Sequence, residues 1–206
     1  MPTTDAPPEA AMYLHPLHQI LSQRSLDTHF QPIVSIKRKA LIGVEALARA
    51  TDPCTGKPVP PPQLFDWARE QDRLLELDRA CQTCALDRFA ALPTRDPELL
   101  LFINVEASLL DGHPELSLLH LAQQAGVRPS NMVIEVNETQ VLDQKLLQAF
   151  VQRHREQGFL IAMDDLGAGH SSLQRWPLLQ PDIIKLDRGL LDGIADSFHA
   201  PQLVRT

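Results

Sequence analysis

Five apolar runs of this chain each close on a polar or charged side chain, at Glu45, Asn104, Glu135, the pair Asp164-Asp165, and Lys185. Buried strands have no need of acids or amides at their ends, and an ionised carboxylate is expensive to desolvate unless it is paired or holds a cation. One shared site for a divalent metal accounts for all five. Carboxylate and amide oxygens are hard ligands suited to Mg²⁺, Mn²⁺ or Ca²⁺, and no cysteine or histidine pair stands at the spacing of a structural zinc site. Adjacent aspartates point to opposite faces of a regular strand, so the strand is expected to end at Asp165, where Leu166-Gly167-Ala168-Gly169 follows. One acid can then bridge two metals, a device that stabilises both the attacking and the leaving oxygen in phosphodiester cleavage. Lys185 adds a cation for a phosphate or a bound hydroxide.

The elements that must position these groups follow from periodicity. Leu14 to Arg24 has helical spacing, and His29 to Ile36 is extended, with Pro32 marking an edge or terminal strand. The turn Lys37-Arg38-Lys39 leads into Ala40 to Ala48, a hairpin partner interrupted by Glu45. A loop punctuated by proline and glycine comes next, and Gln63 to Leu92 is helical with a break near Gln71-Asp72. Near-continuous apolar strands follow at Leu99 to Val105, Met132 to Val136, Phe159 to Asp165 and Asp182 to Asp187. Helical stretches at Pro114 to Gln124 and Thr139 to Gln157 lie between them, and a short one at Ser171 to Trp176.

Strands buried on both faces and alternating with helices indicate a parallel sheet covered by helices. A doubly wound open sheet offers its ligand a single switch point, whereas a closed barrel gathers many strand ends around one mouth. Only the barrel collects five separated polar residues. Six strands are counted where a closed barrel needs eight, so the expectation is an α/β fold of (β/α)₈ type lacking its last two strands.

Composition narrows the partners. With 206 residues and 44% hydrophobic content the chain builds one core, read as residues 13–206 behind a flexible tail at 1–12. A net charge of -7 argues against a basic nucleic-acid surface and leaves a small local phosphate pocket open. Cys54, Cys81 and Cys84 are too few for a disulfide scaffold and point to a reducing compartment, and no apolar stretch is long enough to span a bilayer. A cytoplasmic protein with no membrane segment is expected. The C-x-x-C pair lies mid-helix, where i and i+3 share a face, and reads as packing; Phe65 and Trp67 read as helix-face core residues. His15, His18 and His29 show no ligand spacing, and His170 reads as a loop residue.

Taken together the motifs carry a resemblance. Glu45-Ala46-Leu47 followed by Arg49 resembles the signature of the EAL family of cyclic-di-GMP phosphodiesterases. The family's other motifs are matched in order by Gln31-Pro32-Ile33, Asn104-Val105, Glu135-Val136-Asn137-Glu138, Asp164 to Gly169 with Ser171-Ser172-Leu173, and Lys185-Leu186-Asp187. The resemblance implies a modified (β/α)₈ TIM-type barrel with an antiparallel first strand. It implies metal-dependent hydrolysis of cyclic di-GMP to linear pGpG, in bacterial second-messenger signalling and biofilm regulation. Glu45, Asn104, Glu135 and Asp164 would ligate one Mg²⁺ or Mn²⁺, Asp164 would bridge, and Asp165 would serve the second; Ca²⁺ would bind but inhibit. Lys185 would position or activate the water, Gln31, Leu47 and Arg49 would touch the dinucleotide, and Glu138 would tether the loop after Asp165. A homodimer and a sensory or regulatory partner are compatible with it.

Departures from the family pattern stand at Leu166, Ala168 and His170 in the loop, at Glu106 where a serine is usual, and at Asn137 where threonine is common. Neither the family's next glutamate motif nor its final glutamine-glycine occurs before Thr206. Two further readings therefore stay open at this level: a non-catalytic cyclic-di-GMP receptor, and an interaction scaffold whose exposed sheet edges pair with another chain. Each polar residue taken singly also has a structural alternative, as a surface charge, an ion-pair partner or a turn cap.

Overall fold

The chain first doubles back on itself. Strands β1 (Leu26–Ser35) and β2 (Ala40–Thr51) form an antiparallel hairpin, and Lys39 at φ 51° closes the turn by donating its N–H to the Ser35 carbonyl. The computed structural model describes residues 15–93, 96–105, 117–136, 144–166 and 180–186, without the side chains of Asp165 and Leu166. Glu138, Glu106, Asn137, Ala168, His170, the stretch Ser171 to Trp176 and the expected tail 1–12 lie outside these residues.

Three helices pack around the hairpin. Helix α1 (Pro16–Ser22) opens on a proline, whose fixed φ suits a first turn, and the His15 ring accepts the Leu17 N–H. After a two-residue strand β3 (Pro58–Val59), prolines also open α2 (Pro61–Glu70), and α3 (Leu74–Ala90) follows a break where Asp72 takes φ 54°. The sequence reading placed that break correctly but took β3 for loop and ended β2 three residues early. Leu17, Ile20, Leu64, Ala68 and Leu77 join these elements in one apolar cluster, with Phe65, Trp67 and Cys81 against it.

Strand β4 (Leu100–Val105), helix α4 (Leu118–Gln124), strand β5 (Met132–Val136), helix α5 (Gln144–Glu156), strand β6 (Leu160–Leu166) and strand β7 (Ile183–Leu186) continue the alternation. The strands run in the order β1-β2-β4-β5-β6-β7, with β3 paired to β2, and every pairing from β2 to β7 along that path is parallel. An order that never reverses has no switch point, so successive crossovers of one hand put the helices on one face and curl the sheet. The result is a half-barrel with β1 at one edge, which agrees with Pro32 lying in an edge strand.

Period-two alternation sorts the side chains. Leu101, Ile103, Met132, Ile134, Ile161 and Met163 face the helices and meet Leu86, Phe89, Leu118, Leu147 and Phe150 in the main core. Full burial of side chains this size stabilises by about 1.5–3 kcal/mol each. The other face holds Phe102, Val133 and Ala162, with Leu100, Leu160 and Ile183 around them. On that inner face the residues further along each strand are Asn104, Glu135, Asp164 and Lys185.

Gly43 sits where β2 and β4 approach. A Cβ there would lie 2.6 Å from both the Leu100 carbonyl oxygen and Phe102 Cε2, so the inner wall has no room for a methyl group. Gly43→Ala is expected to lower stability by about 1–3 kcal/mol through overpacking, read as a lower urea midpoint at unchanged slope. An unchanged midpoint would show that β4 yields without cost.

Candidate metal centre

Each polar residue stands on the inner face because it continues the parity of the apolar residues beneath it. Their heights are set by register. Glu45 is level with Phe102, Asn104 with Glu135, and Glu135 with Ala162. The polar layer therefore climbs two residues from β2 to β4, none to β5, two more to Asp164 on β6, and none to Lys185 on β7. That is a stagger of about one residue per strand, the shear of an eight-stranded barrel.

At β6 the alternation breaks. Met163 pairs with Ile184 and Leu166 with Leu186, so Asp164 and Asp165 together oppose the single residue Lys185. This corrects the expectation that the strand ends at Asp165: it continues to Leu166, and a bulge, one extra residue on one strand, supplies the irregularity. Bulges re-aim side chains beside functional sites, which suits a position where two adjacent acids are wanted.

The side chains converge. The Lys185 ammonium is 2.8 Å from Glu45 Oε2, 2.7 Å from Glu135 Oε1 and 3.1 Å from Asp164 Oδ1. Asn104 donates its amide N–H to Glu45 Oε1 at 3.1 Å. One oxygen from each of Glu45, Glu135 and Asp164 falls within 4.8 Å of the others, a separation one cation can span. Glu135 is fully buried, and its Oε2 has no hydrogen-bond partner among the described residues. Its Oε1 meets Lys185 at ion-pair distance without the direction of a good hydrogen bond. A buried carboxylate with spare lone pairs amid two more acids fits a hard divalent ion.

Electrostatics follow from this crowding. Burial pushes the Glu135 carboxyl up to about 8; Lys185 opposes the shift, and Glu45 and Asp164 add to it. For Lys185, burial works against the charge, but Glu135, Glu45 and Asp164 outweigh it and hold the ammonium above its ordinary range.

The remaining expected residues lie around this centre. Gln31 is directly across the hairpin from Glu45 and is exposed, while Leu47 and Arg49 follow Glu45 at intervals of two on the same face of β2 and are half-buried. Arg49 donates to the Ala48 carbonyl at 2.8 Å. Among the described residues, none of these three makes a hydrogen bond or ion pair to the acid cluster. Cys81 and Cys84 are free thiols away from it, and burial pushes the Cys81 thiol up to about 12, too high for redox chemistry at neutral pH. His15 stacks edge-on against Trp67 with ring centroids 5.3 Å apart, a packing role. The ion pair between Lys185 and Glu45, 140 residues apart, is a contact the sequence did not announce.

The Glu135 shift has a sign that can be measured. Between its ordinary value near 4.5 and about 8 the folded chain keeps a proton that the unfolded chain has released, so this group's contribution is complete below 4.5 and lost as pH rises through 8. In EDTA, the urea midpoint is expected to fall with rising pH across that window, and Glu135→Gln is expected to flatten the fall. Parallel pH profiles for the two proteins would contradict the assignment.

Comparison with known proteins agrees with this geometry. A family model described as the EAL domain matches residues 16–206. The probable cyclic di-GMP phosphodiesterase PdeB of Escherichia coli (strain K12) is 28% identical over 193 residues, covering 92% of this chain and 37% of PdeB. Among solved structures, the PaMucR phosphodiesterase in complex with c-di-GMP is similar at TM-score 0.75 and 27% identity, over 92% of this chain and 78% of that one. The manganese/c-di-GMP complex of Klebsiella pneumoniae BlrP1 is similar at TM-score 0.73 and 30% identity, over 87% of this chain and 44% of that one, and BlrP1 is also known with calcium. The chain thus spans well under half the length of PdeB. No helix among the described residues is long and apolar enough to cross a membrane. By sequence match, strand order and the placement of its acids, the chain belongs to the EAL domain family.

Proposed function

We propose that this chain is a divalent-metal-dependent phosphodiesterase that opens one phosphodiester bond of cyclic di-GMP to give linear pGpG. The observation that carries the reading is the convergence of Glu45, Glu135 and Asp164 at one mouth of the half-barrel, with ligand oxygens within 4.8 Å of one another. The relatives named as cyclic di-GMP phosphodiesterases, and the neighbours solved with that dinucleotide and manganese, supply the substrate class.

In this reading Glu45, Asn104, Glu135 and Asp164 would hold one Mg²⁺ or Mn²⁺, and Asp164 with Asp165 would serve a second. Such ions, when bound, stabilise charge at the phosphate and lower the pKa of water. Ca²⁺ is expected to occupy the same oxygens without supporting turnover. The chain's own residues do the rest. Lys185 holds the attacking water by donating from its ammonium. Arg49 presents a planar fork to a phosphate oxygen, and Gln31 and Leu47 border the dinucleotide from β1 and β2. Glu138 fixes the loop beyond Asp165. We place the protein in the cytoplasm, where its free thiols stay reduced, and we expect its regulation to come from a partner domain or from dimerisation.

The test is turnover of cyclic di-GMP with Mn²⁺, followed by chromatography of the linear product, using this chain and any longer polypeptide that carries it. Glu45→Ala is expected to reduce product to background. Cys81→Ala, in the helix core, is expected to stay within about twofold of the parent, as substitutions away from a site do. Equal effects from the two changes would overturn the site. Metal-independent binding without product would make the protein a receptor instead.

A further inference from the structure

The position of Lys185 carries a consequence for how a metal ion enters. We propose that Lys185 is the resident counter-cation of the acid cluster, displaced by an incoming divalent ion and not merely adjacent to it. This rests on reading Glu45, Glu135 and Asp164 as a cation site.

The geometry is that of substitution. The Lys185 ammonium has three carboxylates within 3.1 Å of its nitrogen, on β2, β5 and β6. Its nitrogen therefore sits amid the same three carboxylates that could together hold one ion. A divalent ion held by those carboxylates would compete with the ammonium for their oxygens, and two cations drawn into one cluster repel each other. The cluster is largely sheltered, with side-chain exposures of 16% for Lys185, 12% for Glu45, 0% for Glu135 and 25% for Asp164, so water screens the conflict incompletely. Withdrawal is mechanically easy. Lys185 lies on β7, which pairs only with β6 among the described residues, and its flexible four-carbon stem allows the head to swing clear. The acids, by contrast, are fixed by strands in mid-sheet.

Two consequences separate this role from that of a lysine that only orients water. Without divalent ions, Lys185 ties β7 to three other strands. With them, its amine gives up the three carboxylates and becomes available to a water.

The experiment measures amine reactivity at Lys185. Reductive methylation of the wild-type chain, followed by peptide mass spectrometry, is run in EDTA and in saturating Mg²⁺ without nucleotide. Lys37, Lys39, Lys57 and Lys145 serve as internal controls. Lys185 is expected to label severalfold faster with Mg²⁺, relative to the controls. Equal labelling in both conditions, with Mg²⁺ binding shown by calorimetry, would overturn displacement while leaving the metal site intact. Absence of Mg²⁺ and Mn²⁺ binding would overturn both readings. As an independent measure, Lys185→Met should lower the melting temperature in EDTA by about 10 °C or more, because it strands a buried acid cluster. Adding Glu135→Gln to that variant should recover much of the loss. If Lys185→Met does not fold, the double variant reports alone, and its failure to fold as well would count against the role, as would an unchanged melting temperature for the single variant.

Discussion

The distance between Lys185 and Glu45 governs the shape of this molecule. The two residues stand on strands four steps apart in the sheet, a separation of roughly 19 Å if the sheet were flat at about 4.8 Å per strand. Their charged atoms are nonetheless 2.8 Å apart. Even extended across the gap, the two side chains could not meet unless the strands curved toward one another. The contact therefore measures the curl of the half-barrel directly, and the crossover order that never reverses explains why the curl exists.

Curvature and stagger then act together to assemble the site. A sheet curled without stagger would leave Glu45 two residues below Asn104 and four below Asp164 along the barrel axis. The climb of about one residue per strand, compounded by strand tilt, brings these side chains to a common height. Beneath them the inner wall is filled by Phe102, Val133, Ala162 and Ile183, and by the absence of any side chain at Gly43. The acids consequently rest on an apolar floor, which is what raises the Glu135 carboxyl and makes a cation, whether ammonium or metal, the natural partner of the cluster.

Much of this was legible in the sequence because it follows from short-range pattern. Each of Glu45, Asn104, Glu135, Asp164 and Lys185 interrupts an apolar run at its far end, and period two fixes which face each one joins. The break at Gln71-Asp72 and the edge position of Pro32 were equally local signals. What escaped was relational. A bulge is a property of two paired strands, so nothing in Leu160 to Leu166 alone reveals that Asp164 and Asp165 share one partner on β7. At Pro58–Val59 the prolines argue for loop, yet a two-residue edge pairing to β2 accommodates one of them. The meeting of Lys185 with three acids depends on register summed over four pairings, and no single motif encodes that sum.

The division of labour between the two faces explains why such a site is tolerated. The main core lies between the sheet and its helices, where Leu86, Phe89, Leu101, Ile134, Leu147 and Ile161 are sealed from water. It is built from residues of opposite parity to the site, so a change in charge at Glu135 or Lys185 removes no contact from it. The inner face can then hold three acids around one lysine, an arrangement that like-charge repulsion and desolvation make unfavourable on its own. A hard-oxygen donor set of this kind discriminates weakly between hard divalent ions by chemistry alone. Selectivity for any ion held there would come from how rigidly the strands hold the oxygens apart. That rigidity is a property of the helix-facing core, which couples the stability of one face of the sheet to the spacing of the acids on the other.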